Sequence, residues 1–143
     1  MKKWLCFLVG LIPFLLGYIM NRAMMAFPAV SFPYGAIGLI SLIAWFGLGM
    51  TTRRLVDSDG EALALVHLAG VLDLLLLLFQ EVIQGHYWVN KVGVATQLFY
   101  LPVVNIAAKF TAFSPRLYWT YVSGLVLMVA AFSLGRFVGK RST

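Results

Sequence analysis

One acidic side chain interrupts the most apolar stretch of this chain. In LAGVLDLLLLLFQEVIQGH, residues 68–86, Asp73 stands among leucine, glycine and valine, and Gln80, Glu81 and Gln84 follow it. At about 100° per residue in a helix, Asp73, Gln80 and Gln84 fall within about 40° of one another, with Glu81 about 60–100° to one side. Such a stripe of carboxyl and amide groups can carry a proton or a cation, or it can bond a neighbouring helix. The pattern leaves both interpretations open.

Asp73 is the midpoint of the hydrophobic segment 62–84. If that segment crosses a bilayer, the carboxyl group lies about 16–18 Å from either end, near the centre. Inserting an aspartate there costs roughly 2.5–3.5 kcal/mol, and each leucine or valine returns about 0.3–0.6 kcal/mol, so the leucine run outweighs the cost. We therefore expect a neutral Asp73 that faces protein and is hydrogen-bonded.

The next segment offers side chains that could bond Asp73. Gln97, Leu101 and Asn105 share one face of that helix, and Tyr100 lies beside them. Two amides could therefore hold a protonated carboxyl group across a helix pair. No lysine or arginine lies in the middle of a hydrophobic segment, so a buried salt bridge to Asp73 is not expected.

The composition decides which elements must position these residues. Of the 143 residues, 62% are hydrophobic and 11% are charged, and the mean hydropathy is +0.91. Soluble domains carry about one-quarter charged residues, so the composition excludes an ordinary soluble globule. Backbone groups in lipid must bond within their own segment, and no alternating pattern indicates a barrel. The expected fold class is an all-α integral membrane protein, a single domain 1–143 built as a bundle of four or five hydrophobic helices with short loops.

Five hydrophobic segments are separated by short linkers. They span residues 4–20, 34–50, 62–84, 92–108 and 117–138. The first is too long for the apolar core of a secretory signal, so we expect a retained span. Before the third, Ser58 and Glu61 have the spacing of a capping box, which predicts a helix start near Asp59.

The positive-inside rule bears on the number of crossings. With the N-terminus inside and five crossings, six basic residues lie inside and five outside, which is almost no bias. If the fourth segment dips into the membrane or lies flat, the count becomes seven against four, which fits the rule better. That segment is also the weakest, because Gln97, Pro102 and Asn105 interrupt it. Both topologies stay open, each with a cytoplasmic N-terminus in what we expect to be a plasma membrane.

Residues at the segment ends are of types that bind lipid headgroups. They are Arg53, Arg54, His86, Tyr87, Trp88 and Lys91. Because the basic residues are concentrated at such boundaries, the formal charge of +6 favours membrane lipids over nucleic acid as partners. In the last segment Ala131, Gly135 and Gly139 form a small-residue ladder that predicts close helix packing, within the chain in preference to a dimer.

Catalytic and cofactor motifs are absent from the sequence. His67 and His86 are separated by about 28 Å of helical rise, so they cannot share a metal ion or a haem within one chain. Neither Gly-x-Ser-x-Gly nor His-Glu-x-x-His occurs, and a single cysteine, Cys6, excludes a two-thiol centre. The sequence therefore predicts no metal and no cofactor, and it favours a protein without catalytic activity over an enzyme.

Two functions fit these observations. One is a small transport component that is proton- or cation-linked through Asp73, with the amide side chains of the stripe and of the next segment lining the site. The other is the membrane-integral subunit of a larger complex, in which the same groups bond the helices of another membrane protein or of a second copy. The alternative is a membrane-embedded enzyme or binding protein for a lipid or lipid-linked substrate, with Asp73 or Glu81 as general base.

Overall fold

The computed structural model describes residues 2–141, and every regular element in that range is helical. The helices are α1 (Lys2–Gly10), α2 (Ile12–Ala26), α3 (Tyr34–Thr52), α4 (Asp59–Leu78), α5 (Lys91–Phe110) and α6 (Tyr118–Arg141), and a π-helical turn (Phe79–Ile83) extends α4. By length and composition, five spans could cross a membrane. The first span consists of α1 and α2 together, the second is α3, the third is α4 with its π-helical turn, and the last two are α5 and α6. The predicted all-helical architecture and its five apolar segments are confirmed.

The first apolar segment consists of two helices rather than one. α1 ends at Gly10, and Pro13 lies in the first turn of α2. Proline has no N–H to donate, so it is favoured in a first turn and interrupts a continuous helix. A Cβ on Gly10 would lie 2.2 Å from the Val66 carbonyl oxygen, so α1 lies directly against α4. After the break, α2 packs instead on α5, where Gly17 meets the backbone of Leu98.

The predicted start of α4 is confirmed. α4 begins at Asp59, and the Ser58 hydroxyl accepts a hydrogen bond from the Glu61 N–H at 3.4 Å. The Glu61 carboxylate does not complete a capping box by returning to Ser58. It pairs with Lys3 Nζ at 2.6 Å, and it therefore ties the start of α4 to α1.

The contacts between α4 and α6 define two ends of the bundle. At one end, Asp59 at the start of α4 pairs with Arg136 near the end of α6, at 2.7 Å. At the other end, the Glu81 carboxylate accepts a hydrogen bond at 2.6 Å from the N–H of Tyr118, the first residue of α6. α4 and α6 are therefore antiparallel neighbours. We refer to these two ends as the Arg136 end and the Glu81 end.

α5 begins and finishes at the Glu81 end. Near its start, Thr96 accepts a hydrogen bond from the side chain of Gln80, in the π-helical turn, at 3.4 Å. Just after its last residue, the Thr111 hydroxyl is 2.8 Å from the hydroxyl of Thr120, which lies in the first turn of α6. Four elements thus run from one end of the bundle to the other, and α5 does not. The four elements are the α1–α2 pair, α3, α4 and α6.

The middle of α5 nevertheless lies deep in the bundle. The Tyr100 hydroxyl donates a hydrogen bond at 2.7 Å to the carbonyl oxygen of Gly70, in the middle of α4. This path corresponds to the topology in which the fourth segment does not cross. By position in the chain, seven of the eleven basic residues then belong to the Arg136 end: Lys2, Lys3, Arg53, Arg54, Arg136, Lys140 and Arg141.

α3 and α6 run parallel and bring their backbones into contact. A Cβ on Gly135 would lie 2.0 Å from the Phe46 carbonyl oxygen, and a Cβ on Gly49 would lie 2.2 Å from that of Phe132. Farther along α6, Gly139 faces the backbone of Met50. Only glycine allows helices to approach this closely, so the small-residue ladder of α6 packs inside the chain. Ala131, one turn earlier, also packs against the core.

Candidate functional site

The Asp73 side chain is buried in the second half of α4 and has no hydrogen-bond partner within residues 2–141. Its exposed fraction is 4%, and its Oδ2 atom is fully enclosed. The helical period turns Asp73 inward together with Gly70 and Leu77, whereas Leu72 and Leu75 are exposed on the opposite side. A buried polar group without a partner is rare in folded proteins and calls for a physical explanation.

Two tyrosines lie near the Asp73 carboxyl group. Tyr100 of α5 and Tyr121 of α6 are close enough to interact with it electrostatically, and their ring centroids are 5.5 Å apart. The Tyr100 hydroxyl donates to Gly70 and not to Asp73. No ion pair involves Asp73 in the part of the chain that the structure describes. Its surroundings therefore combine apolar side chains with two phenol groups and supply no positive charge.

The other residues of the predicted stripe all have partners. Gln80 is 0% exposed: its side-chain oxygen accepts from the Trp88 N–H at 2.9 Å, and its amide donates to Thr96. Gln84 accepts a hydrogen bond from the Trp88 indole N–H. Because the π-helical turn contains more residues per turn than an α-helix, it breaks the register of the stripe after Leu78, and Gln84 is exposed. These glutamines connect the end of α4 to the following loop and to α5.

Glu81 joins three parts of the chain at the Glu81 end. Its carboxylate accepts hydrogen bonds from the Tyr87 hydroxyl and from the Tyr118 N–H. Burial and the hydrogen bond to Glu81 raise the pKa of Tyr87 well above the usual value of a phenol, so Tyr87 remains a donor at physiological pH. Glu81 thus holds the π-helical turn, the loop that follows it and the start of α6 together.

The structure does not bring Gln97 and Asn105 to Asp73. α5 turns Phe99 and Tyr100 towards α4, while Asn105 is exposed and Gln97 is partly exposed on the outer face. Neither amide has a hydrogen-bond partner in residues 2–141. The predicted hydrogen bonds from these amides to Asp73 are therefore not made, because the two aromatic residues fill the space beside α4 and turn the amides outward.

A second polar centre lies at the Arg136 end. Arg136 is 2% exposed; its Nε donates to Asp59 Oδ1 at 2.7 Å, and its Nη2 donates to the carbonyl oxygens of Val56 and Asp57 at 2.9 and 3.3 Å. Arg53 Nη1 lies 3.7 Å from the same Asp59 oxygen. One carboxylate therefore bridges two guanidinium groups, and the loop between α3 and α4 is fastened to α6.

From the sequence, Arg136 is expected only to be one of the basic residues at the segment ends. The signal that could have found it is its place directly after Gly135, on a helix face that small residues turn inward. An arginine beside such a face must find acceptors, and three of the five acidic residues lie close together just before and within the first turn of α4: Asp57, Asp59 and Glu61.

His67 is also buried, and both of its ring nitrogens are occupied. The Trp45 indole N–H donates to His67 Nε2 at 3.1 Å, and Nδ1 lies 3.1 Å from the carbonyl oxygen of Leu63. An indole can only donate, so Nε2 accepts and Nδ1 carries the proton that goes to Leu63. No nitrogen lone pair is left for a metal, and within residues 2–141 no group of three His, Cys, Asp or Glu side chains could hold a metal ion.

The residues predicted at the membrane interface occur at both ends of the bundle. Arg54, His86 and Lys91 are exposed, whereas Arg53, Tyr87 and Trp88 are partly buried. The partly buried residues contact Asp59, Glu81 and the two glutamines described above, so they also have structural contacts.

An apolar cleft lies between α2, α3 and α5. Ser41 and Trp45 are among its lining residues, but the Ser41 hydroxyl donates to the Ile37 carbonyl oxygen, and the Trp45 indole donates to His67. Neither Asp73 nor Glu81 lines this cleft. Among residues 2–141, therefore, no carboxyl group lines this cleft as a general base for a lipid.

The fold and the site together define an all-helical protein with five apolar helical spans and one buried carboxyl group that has no partner in residues 2–141. No protein-family model, no curated protein and no solved structure matches this chain.

Proposed function

We propose that the protein is integral to a membrane, that four elements cross it, and that the Arg136 end faces the cytoplasm of a plasma membrane. The outward face of α4 and of the π-helical turn supports insertion, because it carries large exposed apolar side chains: Leu68, Val71, Leu72, Leu75, Leu76 and Phe79. Soluble monomers rarely expose apolar patches of this kind. The excess of basic residues at the Arg136 end supports the orientation.

We further propose that the protein is a component of proton- or cation-linked transport and that Asp73 is the exchanging group. The observation that carries this proposal is that Asp73 alone, among the four residues of the stripe, has no partner in residues 2–141. Gln80, Glu81 and Gln84 are engaged in holding the fold together, and Asp73 is not.

Charge balance explains why a lone buried carboxyl group favours exchange. An ionised carboxylate without a counter-charge in an apolar interior is strongly disfavoured. Asp73 must therefore hold a proton or a cation while it is enclosed, and it can release that charge only when water or a partner reaches it. A carboxyl group that served as interhelical glue would instead be bonded to the facing helix.

Reconstitution into liposomes tests the transport proposal. The purified protein should carry a flux that depends on the pH or cation gradient, and Asp73→Asn should abolish that flux. Gln84→Leu is the matched control, since Gln84 belongs to the same stripe but is exposed and bonded only to the loop. A flux unchanged in Asp73→Asn would refute the role of Asp73.

Infrared spectroscopy supplies an independent test of the protonated form. A buried neutral carboxyl group should give a C=O stretching band at neutral pH that disappears in Asp73→Asn. If cation exchange is the function, the band should instead be suppressed by the transported cation. A spectrum that is the same with and without Asp73 under both conditions would contradict the proposal.

A second function, the membrane-integral subunit of a larger complex, is favoured by a different observation. The outward-facing Gln97 and Asn105 have no partner in residues 2–141. Exposed amide groups on an otherwise apolar helix face can bond to the helix of another protein. This function predicts that Gln97→Leu and Asn105→Leu reduce co-purification of a partner, whereas Asp73→Asn does not.

A further inference from the structure

Tyr121 lies between the two acidic side chains of the stripe. The N–H of Tyr118 bonds Glu81, and Tyr121 follows Tyr118 by almost one turn of α6. Because α6 runs antiparallel to α4, that turn lies beside the part of the α4 segment between Glu81 and Asp73. Tyr121 interacts electrostatically with both carboxyl groups, and its side chain is 8% exposed. A single buried phenol group therefore stands between Asp73 and the Glu81 end.

The hydroxyl groups of the two tyrosines near Asp73 differ in their bonding. The Tyr100 hydroxyl donates to the carbonyl oxygen of Gly70 at 2.7 Å, so its proton is already engaged. The Tyr121 hydroxyl makes no hydrogen bond within residues 2–141. A phenol hydroxyl can both donate and accept, and one bridging water can connect it to a carboxyl group that it does not touch. Tyr121 is therefore the phenol that is available to Asp73.

Asp73 lies closer to the Glu81 end than to the Arg136 end. Eight residues separate it from Glu81 and fourteen from Asp59, which correspond to about 12 Å and about 21 Å of helical rise. On the longer side, His67 is the only polar side chain of α4 between its first turn and Asp73. Both nitrogens of His67 are bonded, and the ring of Phe132 packs against it at a centroid distance of 5.3 Å. The available polar groups thus lead from Asp73 to the Glu81 end.

The groups around Asp73 suit a proton better than a metal cation. Cations such as Mg²⁺ and Ca²⁺ are held by about six to eight oxygen atoms. Near Asp73 the structure places two phenol hydroxyls, one of which is engaged by Gly70, and within residues 2–141 no group of three His, Cys, Asp or Glu side chains could hold a metal ion. A proton needs only one carboxyl oxygen and a donor that can reach it.

We propose that the ion exchanged at Asp73 is a proton and that Tyr121 relays it between Asp73 and the Glu81 end. In each transfer the Tyr121 hydroxyl gives its proton, through one bridging water, to the Asp73 carboxylate, and a hydronium ion arriving from the Glu81 end restores the phenol. The net change is one proton moved from hydronium to the carboxylate, and release follows the reverse order. The proposal rests on the proposed function and names the ion that this function leaves open.

Hydrogen–deuterium exchange of the Asp73 carboxyl group tests the relay without requiring transport. When the reconstituted protein is transferred into D₂O, the infrared C=O band of the carboxyl group shifts to lower frequency as its proton is replaced. Tyr121→Phe keeps the ring and should slow this shift about 100-fold, because a positioned donor typically accelerates proton transfer by at least that factor. Tyr18→Phe removes an exposed phenol of α2 and is the matched control, which should exchange at the wild-type rate.

A purely structural role of Tyr121 would give a different result. The Tyr121 hydroxyl makes no hydrogen bond within residues 2–141, so Tyr121→Phe should keep the unfolding midpoint of the wild type and the carboxyl band at neutral pH. A lowered midpoint with an unchanged exchange rate would overturn the relay. Slow exchange in Tyr100→Phe, with a wild-type rate in Tyr121→Phe, would assign the relay to Tyr100 and would also overturn it.

Flux measurements in liposomes test the identity of the ion. With N-methylglucamine as the only other cation, a pH gradient should drive proton flux, and adding Na⁺, K⁺ or Mg²⁺ should change the rate by less than about twofold. A flux that requires one of these metal ions would overturn the proton assignment, although Asp73 would remain the exchanging group. Unchanged carboxyl exchange in Tyr121→Phe, together with a flux that Asp73→Asn abolishes, would overturn the relay and leave the proposed function standing. Slowed exchange in a protein that carries no flux would support the relay and refute transport.

Discussion

Two ionisable side chains, Arg136 and Asp73, are buried to almost the same extent and are treated by the fold in opposite ways. Arg136 is 2% exposed and donates to one carboxylate and two carbonyl oxygens. Asp73 is 4% exposed and its side chain makes no hydrogen bond within residues 2–141. Acceptors at one end of the bundle engage the Nε and Nη2 atoms of the arginine, and its Nη1 atom is buried without a partner in residues 2–141. The aspartate stands between the two ends of the bundle, and no donor or acceptor in residues 2–141 bonds its side chain.

The difference shows which of the two charges the fold requires. A guanidinium cannot lose its proton, so its burial is tolerated only with acceptors in place. A carboxyl group can become neutral, so it can be enclosed without a partner at a smaller cost. Arg136 therefore belongs to the framework, whereas the fold does not use Asp73 for a contact within residues 2–141. Substitutions at the two positions should accordingly have opposite effects on stability.

Replacing Arg136 should give the largest loss of stability. Arg136→Met removes the donors to Val56 and Asp57 and leaves Asp59 beside Arg53 alone, which should lower the free energy of unfolding by about 2–3 kcal/mol. This is below the usual cost of breaking a buried ion pair, because Asp59 is half exposed and can be hydrated. Reversible unfolding in mixed detergent micelles measures the change.

Arg54→Met provides the control, since Arg54 is exposed at the same end of the bundle. It should change the unfolding free energy by less than about 0.5 kcal/mol. Equal effects of the two substitutions would mean that Arg136 contributes only a surface charge.

Replacing Gln80 should give the next largest loss. Gln80→Leu keeps the volume of a fully buried side chain but leaves the Trp88 N–H without its acceptor and removes the bond to Thr96. We expect a loss of about 1–2 kcal/mol, because a buried donor left unpaired retains its desolvation cost. Hydrogen exchange of the Trp88 amide should accelerate in the variant. Unchanged exchange there would show that Gln80 does not hold the loop.

Part of this contrast could be predicted from the sequence. Length and hydropathy were enough for the five helical segments, and the Ser58 to Glu61 spacing was enough for the start of α4. The stripe from Asp73 to Gln84 could be placed on one helix by its period. The sequence could not show which residues of the stripe have hydrogen-bond partners. The π-helical turn that shifts Gln84 depends on how the following loop packs over Gln80.

The neighbours of Asp73 could not be predicted for a similar reason. A helical wheel shows that Gln97 and Asn105 share a face with Leu101, but it does not show which way that face points. The direction follows from the packing of Phe99 against Phe14 and Tyr100, with ring centroids 4.9 Å apart in each pair. Such packing depends on the contacts of three helices at once, and no local pattern contains it.

Replacing Asp73 should raise stability by a smaller amount. Asp73→Val removes a buried polar group that has no partner in residues 2–141, and we expect a gain of about 1 kcal/mol after allowing for the slightly larger side chain. Unfolding in mixed micelles measures the gain. If Asp73 were interhelical glue, Asp73→Val would lower stability instead, and the distinction between Asp73 and Arg136 would be lost.

The smallest effect should come from Tyr87, which is a partner of Glu81, the other acidic residue of the stripe. Tyr87→Phe removes one of two donors to Glu81, and because both side chains are partly exposed the loss should be about 0.5–1 kcal/mol. The pKa of Tyr87 is raised in the folded protein by burial and then by the hydrogen bond to Glu81, so the stability that its hydroxyl contributes is complete below the unfolded pKa of about 10 and declines above it. The difference in unfolding free energy between the wild type and Tyr87→Phe should therefore stay constant from pH 6 to 9 and shrink above pH 10. A difference that is independent of pH up to 11 would show that Tyr87 is not held as a neutral donor, and the Tyr118 N–H would then be the donor that holds Glu81.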